Sequence, residues 1–307
     1  MAIELIIVGG GPAGLTAGLY ACRSGLSATI YEKGYPGGLA STTDLIDNYP
    51  GFTDGISGME LGDRMKQHAE RFGVKIVTSE VERVWRDGSP RVSVKGETIE
   101  AGAVIVATGW TPKRLGVPGE EELLGRGVSY CATCDGPLYK GKTVAVIGGG
   151  DSALQEAIFL SKFASEVKLI HRRDEFRAAP FLQETVAGNE RIVPLLSKTV
   201  VSIRGEGVLE GVSLEDKKTV ASEFVEASGV FIYAGIRPNV GMLGPEFKRE
   251  ADGFLITDDR LRTSVEGAFA AGDVRAKNLR QVVTAAGDGA VAAMSAYQYL
   301  ESLNKMA

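Results

Sequence analysis

Cysteine and histidine are scarce in this sequence, which has three of the former and two of the latter among 307 residues. Three cysteines are too few for a disulfide scaffold. A closed zinc site needs four ligands, and Cys22, His68 and His171 are too scattered to complete one. We therefore predict no metal, and we expect the remaining cysteine pair, Cys131 and Cys134, to be catalytic.

Long apolar runs and blocks of basic residues are also missing. No apolar run approaches the ~18 residues of a membrane span. The beginning of the chain, MAIELIIVGGG, lacks a basic segment and a cleavage site. The net charge of −5 argues against nucleic acid or an anionic membrane as a partner. We expect a cytoplasmic protein that binds neither.

Glycine, by contrast, is abundant: the chain has 40 glycines, about twice the usual share of ~7%. The first glycine-rich loop follows a predicted buried strand, 3–8, and opens a predicted helix. In a G-x-G-x-x-G loop of this kind, backbone N–H groups reach a pyrophosphate at a helix N-terminus. Glu32 ends the next strand, about 20 residues on, where an acid would bind ribose hydroxyls. The predicted loop residues are Gly9, Gly11, Pro12, Ala13 and Gly14. The alternative is a glycine turn without a ligand.

The sequence contains an internal repeat of this arrangement. Gly148, Gly150 and Ala153 match Gly9, Gly11 and Gly14, and strand 28–31 maps onto 167–170 with the same offset. The segment VIVATGWTP (104–112) likewise resembles VFIYAGIRP (230–238). We predict an α/β fold with two Rossmann-like three-layer nucleotide-binding domains. The second is inserted in the first: 1–116 and 242–307 form one domain, and 117–241 the other.

The two predicted domains differ after their second strands. Where the first has Glu32, the second has His171, Arg172 and Arg173, followed by Arg177. A carboxylate accepts hydrogen bonds from ribose hydroxyls, whereas arginines bind a 2′-phosphate with charge-assisted bonds. The second domain should therefore prefer NADPH, unless the arginines are only a solvated cluster. The first then holds the two-electron relay between nicotinamide and dithiol, for which FAD is suited.

The cysteine pair lies between the two glycine-rich loops, in the segment CATCDG (131–136). A C-x-x-C spacing brings two sulfurs close enough to bridge and lowers the pKa of the attacking thiol. One sulfur should face the flavin and the other the substrate. Asp135 can exchange the proton if burial raises its pKa. The alternative is a purely structural pair, and for Cys22 we expect only a small buried side chain.

The segment after residue 238 contains further candidate residues for contact with the flavin. Phe269 to Asp273 read as a strand that stops at Gly-Asp, and Arg280 and Gln281 precede an alanine-rich helix, 282–303. The N-terminus of that helix suits the electron-rich end of a reduced flavin. Asp273 could also be only a turn or N-cap residue.

With these motifs in hand, the chain resembles the low-molecular-weight, bacterial-type thioredoxin reductases over nearly its whole length. The motifs that carry the resemblance are GGGPAG (9–14), NYPG (48–51), ATG (107–109), CATCDG (131–136), GGGDSA (148–153), HRRDEFRA (171–178) and AAGDV with RQVVTAAGDGA (270–290).

The resemblance implies a homodimer that reduces thioredoxin, with FAD in the first domain, NADPH in the second and a swivel between the two. It implies that Cys134 faces the flavin, Cys131 attacks the thioredoxin disulfide and Asp135 is the acid–base group. The implied FAD contacts are the loop residues 9–14 named above with Glu32, Gly38, Leu39, Asn48, Val81, Thr108, Gly109, Gly272, Asp273, Arg280, Gln281 and Val282. The implied NADPH contacts are Gly150, Asp151, Ser152, Ala153, His171, Arg172, Arg173 and Arg177.

The chain departs from the family pattern at Leu39, since the family usually has Gln after the pair Gly37-Gly38. One side-chain contact to the flavin ring is therefore in question. Two other functions stay open on the same motifs: a flavin-dependent dithiol oxidase or a reductase of another dithiol protein, and a flavin-binding sensor without turnover.

Overall fold

A computed structural model of the chain describes residues 3–43, 45, 46 and 48–304. The chain divides into two compact units: unit 1 comprises Met1–Thr111 and Arg237–Ala307, and unit 2 comprises Pro112–Ile236. The domain boundaries expected from the sequence, at 116/117 and 241/242, lie a few residues further along the chain. The segment that follows the second repeat belongs to unit 1.

Strands and helices alternate through much of the chain. In order, the strands are β1 (Ile3–Val8), β2 (Ala28–Glu32), β3 (Lys75–Thr78), β4 (Val81–Asp87), β5 (Ser89–Val94), β6 (Glu97–Val106), β7 (Trp110–Pro112), β8 (Val128–Ser129), β9 (Thr143–Ile147), β10 (Glu166–Ile170), β11 (Ile192–Leu195), β12 (Lys198–Arg204), β13 (Gly211–Asp216), β14 (Ser222–Glu226), β15 (Gly229–Ile232), β16 (Ile236–Pro238) and β17 (Ala268–Ala270). The α-helices are α1 (Pro12–Arg23), α2 (Gly58–Arg71), α3 (Ala132–Asp135), α4 (Asp151–Leu160), α5 (Pro180–Ala187) and α6 (Val282–Asn304).

Unit 1 is built on a mixed sheet with the order β3-β2-β1-β6-β5-β4, and β17 also pairs with β6. The pairs among β1, β2, β3, β6 and β17 are parallel, whereas β4 and β5 add an antiparallel edge. Strand β6 begins at Glu97, because residues 97–100 pair with β5. Because β1, β2, β6 and β17 are parallel, the carboxyl ends of β1, β2 and β17 lie at one edge of the sheet.

Both faces of the unit 1 sheet are covered, which explains why the last four residues of β1, Leu5 to Val8, are all apolar. Leu5 and Ile7 face one core with α1 and α6. Ile6 and Val8 face a second core with the antiparallel edge. The glycine-rich loop that follows β1 is thus attached to a strand whose last four residues are buried.

Unit 2 repeats this plan with a parallel sheet of order β11-β10-β9-β15-β8. The helices α3, α4 and α5 cover one face. The antiparallel sheet β12-β13-β14 contributes to the core on the other. The central strand β9 ends at the second glycine-rich loop, as β1 ends at the first.

Candidate active site

The first glycine-rich loop makes a tight turn between β1 and α1. Gly9 has a φ of +105°, and a Cβ there would collide with the carbonyl group of Ala107. A Cβ at Gly14 would collide with the carbonyl oxygen of Gly9. Pro12 begins α1, and Gly11 precedes it without a side-chain cap. The first-turn N–H groups can therefore serve an anionic group of a ligand.

Gly272, in a distant part of the sequence, packs against Ala13 of this loop. A Cβ at Gly272, whose φ is +74°, would lie only 2.7 Å from Cβ of Ala13. The N–H of Gly272 donates to Oδ2 of Asp288 at 3.0 Å. The turn after β17 is thus held against the first turn of α1.

The carboxylate of Glu32 lies directly on the loop. Its Oε2 accepts a hydrogen bond from the N–H of Gly10 at 2.6 Å, and its Oε1 accepts one from Gly34 at 2.9 Å. The acid at the end of the second strand is therefore in the position where a dinucleotide site meets the ribose.

The stretch after β2 contributes three of the predicted FAD residues. Gly38 has a φ of +60°, and a Cβ there would lie 3.0 Å from Cα of Gly11. Leu39, the residue in place of the usual Gln, is 43% exposed. Asn48 Nδ2 donates to Oε1 of Gln281 at 3.1 Å. The fold thus joins predicted FAD residues that are far apart in the sequence.

Thr108 and Gly109 follow β6 and are bonded to Asn239. The Thr108 hydroxyl donates to the Asn239 carbonyl at 2.6 Å, and Asn239 Nδ2 donates to the Thr108 carbonyl at 2.9 Å. The N–H of Asn239 donates to the carbonyl of Gly109 at 3.0 Å. Asn239 therefore fixes the ATG turn.

Asp273 accepts one hydrogen bond and forms one ion pair. Trp110 Nε1 donates to Oδ2 at 3.2 Å, and Lys277 Nζ lies 3.2 Å from Oδ1. Burial raises the pKa of Asp273, whereas the charge and hydrogen bond of Lys277 and the bond from Trp110 lower it. Asp273 is therefore a held carboxylate rather than a solvated turn residue.

Arg280 precedes α6 and is half-buried. Its guanidinium carbon lies 4.0 Å from the ring centroid of Phe254, and burial lowers its pKa. Its buried Nε has no hydrogen-bond partner among the described residues. A buried donor of this kind fits a bound polar group, because leaving it unpaired is costly.

Val81 and Val282 are the apolar members of the predicted FAD set. Val81 begins β4 and is 5% exposed, packed within the unit 1 core. Val282 begins α6 and packs against the small cluster of Ile46, Ile56 and Leu61. Their contact with a cofactor stays a prediction.

The second glycine-rich loop leads from β9 into α4. Gly150 precedes α4 without a side-chain cap, as Gly11 does for α1. A Cβ at Gly149 would collide with the imidazole of His171. Asp151 Oδ1 accepts from the N–H of Ala179 at 2.7 Å. Ser152 is exposed and Ala153 is buried in the core.

His171 forms one wall of this loop. Its ring stacks on Phe176 with centroids 5.7 Å apart, and its buried Nε2 has no hydrogen-bond partner among the described residues. Burial lowers the pKa of His171, and the positive charges of Arg177, Arg173 and Arg172 lower it further.

The three guanidinium groups around His171 are exposed. The N–H of Arg177 donates to the carbonyl of Gly149 at 2.8 Å, which fixes its backbone to the loop. Exposed cations beside an uncapped helix N-terminus fit an anionic nucleotide with an additional phosphate.

Cys131 and Cys134 form a disulfide at the start of α3, with their Cα atoms 5.3 Å apart. The N–H of Cys131 donates to the hydroxyl oxygen of Ser129 at 3.0 Å. The N–H of Asp135 donates to the carbonyl of Cys131 at 3.1 Å, so the carboxylate follows the pair within one turn. Cys22, in contrast, is a free cysteine in α1, half-buried, and burial raises the pKa of its thiol.

Sequence reasoning did not find four residues that hold the predicted groups. Asn239, Trp110 and Lys277 bond to the predicted FAD residues, and Tyr233 bonds to α3. None belongs to a motif that carries the family resemblance, and their contacts arise only from the fold. Trp110 and Tyr233 lie within the two copies of the second repeat, 104–112 and 230–238, but the repeat does not indicate what their side chains contact.

Two negative findings concern the described part of the chain. No group of three or more histidine, cysteine, aspartate or glutamate side chains there could hold a metal ion. Among these residues, no helix combines the length and the apolar character that a bilayer crossing demands.

Comparison with known proteins identifies the class to which these sites belong. Residues 3–289 match the family described as pyridine nucleotide-disulphide oxidoreductase. The chain therefore belongs to the pyridine nucleotide-disulphide oxidoreductase family. It is 45% identical to the thioredoxin reductase of Bacillus subtilis, with 98% of this chain and 96% of the relative covered. It is 44% identical to that of Treponema pallidum, with 98% of each covered.

Among solved structures, thioredoxin reductase from Streptococcus pyogenes superposes with a TM-score of 0.94 at 44% identity, covering 98% of this chain and 99% of that one. These comparisons confirm the resemblance and the α/β fold with two Rossmann-like domains. They also confirm the predicted enzyme, an FAD-dependent NADPH oxidoreductase that acts as a thioredoxin-disulfide reductase.

Proposed function

We propose that the Cys131–Cys134 couple is the group that reduces oxidised thioredoxin, with FAD held by unit 1 and NADPH held by unit 2. The observation that carries this proposal is the disulfide at the start of α3. It lies in the same compact unit as the second glycine-rich loop and the arginines.

Unit 1 fits FAD for three reasons. Its loop is lined by glycines where a Cβ would collide with the backbone. Glu32 offers a carboxylate to ribose hydroxyls and would repel a 2′-phosphate. Arg280 has a buried donor that a ligand can satisfy. When bound, FAD supplies a two-electron relay between a nicotinamide and a disulfide.

Unit 2 fits NADPH because it reverses the charge at the equivalent position. Arg172, Arg173 and Arg177 surround His171 with positive charge and remain exposed to solvent. Guanidinium groups bind phosphate with short, often bidentate hydrogen bonds. The contacts assigned to NADPH are Gly150, Asp151, Ser152, Ala153, His171, Arg172, Arg173 and Arg177.

The cysteines act in two exchange steps once the pair is a dithiol. The Cys131 thiolate attacks one sulfur of the thioredoxin disulfide, forming a mixed disulfide and releasing the other thioredoxin sulfur as a thiolate. Cys134 then attacks Cys131, which restores the Cys131–Cys134 disulfide and frees thioredoxin as a dithiol. Asp135, within one turn of both cysteines, takes the proton that the thiol loses.

Three serine variants test this assignment. We expect Cys131→Ser and Cys134→Ser each to abolish NADPH-driven reduction of thioredoxin. The Cys134→Ser variant should trap a mixed disulfide through Cys131, detectable as a covalent adduct by mass spectrometry. The control is Cys22→Ser, which removes the free cysteine of unit 1 and should retain activity. Full activity of either CxxC variant would contradict the assignment.

The assembly and location of the enzyme belong to the same proposal. We expect a homodimer in the cytoplasm, with thioredoxin as its protein substrate. The exposed apolar side chains of Val283, Val291 and Met294 on α6 support a contact with a second copy. Sedimentation equilibrium measures the mass in solution, and a monomer at micromolar concentration would exclude the dimer.

A further inference from the structure

We infer that Tyr233 is a positioning residue for the Cys131–Cys134 couple, because it fastens the first turn of α3 to the strand and the glycine-rich loop beside it. The inference rests on the proposed role of this couple. Tyr233 is not among the residues assigned to FAD, to NADPH or to the exchange steps.

The first observation is a hydrogen bond between distant parts of unit 2. The N–H of Ala132 donates to the phenolic oxygen of Tyr233 at 2.7 Å. Ala132 is the first residue of α3, lies between the two cysteines and is fully buried. A buried N–H requires an acceptor, and Tyr233 supplies it at the residue that follows Cys131.

The second observation concerns the rigidity of the anchor. Tyr233 comes directly after β15, which pairs with both β9 and β8 in the parallel sheet. Its own N–H donates to the carbonyl of Ile147, the last residue of β9, at 2.7 Å. The phenol therefore projects from the end of a central strand pair rather than from a loose loop.

The third observation links the same residue to the nucleotide loop. A Cβ added at Gly148 would lie 2.8 Å from the carbonyl oxygen of Tyr233 and 3.2 Å from its Cβ. The glycine-rich loop thus packs directly on the Tyr233 backbone. One residue therefore contacts both the loop assigned to NADPH and, through its hydroxyl, the helix of the cysteine pair.

The surroundings keep this hydroxyl uncharged. Burial raises the pKa of Tyr233 well above its ordinary value, and the negative charges of Glu156 and Asp135 act in the same direction. The phenol is therefore protonated across the physiological range. It can accept the Ala132 bond and still has a proton to donate.

This arrangement has a consequence for the redox couple. Disulfide exchange depends on which sulfur is presented and on in-line attack, and both depend on how α3 is held. The Tyr233 bond is present in the oxidised form. That bond holds the first turn of α3 while the two sulfurs are joined. We expect its loss to disfavour the disulfide, because the dithiol does not require the two sulfurs to stay within bonding distance.

The test compares Tyr233→Phe with Tyr130→Phe in the holoenzyme. Tyr130 is a stringent control because it directly precedes Cys131, yet its hydroxyl donates to Oε1 of Glu120 at 2.6 Å and not to α3. The equilibrium between the Cys131–Cys134 disulfide and the dithiol is measured in dithiothreitol redox buffers by thiol alkylation and mass spectrometry. Hydrogen exchange of the 131–135 segment reports the Ala132 amide independently.

We expect Tyr233→Phe to shift the equilibrium constant toward the dithiol by about two- to tenfold, the range that one lost hydrogen bond supports. The Ala132 amide should also exchange faster, and Tyr130→Phe should change neither quantity. An unchanged equilibrium in Tyr233→Phe, or equal shifts in both variants, would overturn the inference while leaving the couple intact. A wild-type enzyme without a titratable Cys131–Cys134 couple would overturn the proposed function as well.

Discussion

Trp110 donates its indole N–H to Oδ2 of Asp273 across a distance of 3.2 Å. The two residues are 163 positions apart in the sequence, and Lys277 occupies the other carboxylate oxygen. Burial disfavours the charged form of Asp273, and these two partners counteract that effect. The carboxylate assigned to FAD is therefore kept in place by residues outside any nucleotide-binding motif, while burial leaves its pKa raised above the ordinary value.

Replacing Trp110 with Phe should weaken FAD binding, because the carboxylate loses a donor while the ring remains to fill the space. One hydrogen bond corresponds to about 0.5–1.5 kcal/mol, or roughly a two- to tenfold rise in Kd. Titration of the apoprotein with FAD measures this Kd. The chain has two tryptophans, and Trp85→Phe is the control, since Trp85 stacks with Arg83 at 5.1 Å. Equal affinities in both variants would count against the Trp110 contact.

Removal of the charges at Arg172 and Arg173 should reduce the preference for NADPH over NADH. Each charge-assisted bond to a 2′-phosphate is worth about 1.5–3 kcal/mol, so the double alanine variant should lower the ratio of kcat/KM values by roughly tenfold or more. NADH turnover should change little. Arg204→Ala removes an exposed arginine of the same unit and is the control. A ratio that does not fall would refute the phosphate assignment.

His171 should make the native state sensitive to mild acid. Its pKa is lowered in the folded protein, so the unfolded chain binds a proton more readily. Stability should therefore fall as the pH drops below the ordinary histidine value of about 6.5. Urea unfolding at about pH 7.5 and pH 5.5 should show a smaller loss in His171→Gln than in wild type.

The exposed His68 on α2 provides the comparison for this experiment. The control variant is His68→Gln, which removes the other of the two histidines in the chain. Identical pH dependence in all three proteins would mean that the buried imidazole does not titrate differently upon folding.

Two glycines of the first loop should respond differently to alanine. Gly14→Ala forces a Cβ against the Gly9 carbonyl, and such overpacking costs about 1–3 kcal/mol of folding free energy. Gly11 has an ordinary φ of −76°, and a Cβ there would have only Cα of Gly38 nearby, at 3.7 Å.

Gly11→Ala should therefore fold like wild type while holding less FAD, because its Cβ obstructs the approach of the pyrophosphate to the backbone. Urea unfolding of the apoproteins and the flavin content of the purified variants separate the two effects. Loss of apoprotein stability in Gly11→Ala, or none in Gly14→Ala, would contradict the geometry of the loop.

The elements that local chemistry specifies were predictable from the sequence. Glycine loops after apolar strands, the acid at Glu32, the arginines after the second strand and the C-x-x-C pair each combine a residue type with a spacing. The repeat then supplied the two-domain plan, because both halves use the same parallel strand order around β1 and β9.

The supporting contacts were not predictable, because they join residues that no spacing relates. Thr108 and Asn239 are 131 positions apart, and Ala132 and Tyr233 are 101 apart. Leu39 is a similar case. The sequence shows that Leu39 replaces the usual Gln, but only the folded loop shows that the Leu39 side chain is exposed. The side chains that position a site are determined by tertiary packing, and a single sequence does not show which distant residues pack together.

The two ends of unit 2 meet, since the N–H of Lys113 donates to the carbonyl of Gly235 at 2.9 Å. An insertion whose entry and exit are neighbours adds little loop-closure entropy to its host. A short turn in place of residues 112–236 would thus keep the sheet of unit 1 and the cores on both of its faces in one polypeptide. Such a deletion would offer a direct route to studying the flavin without the disulfide.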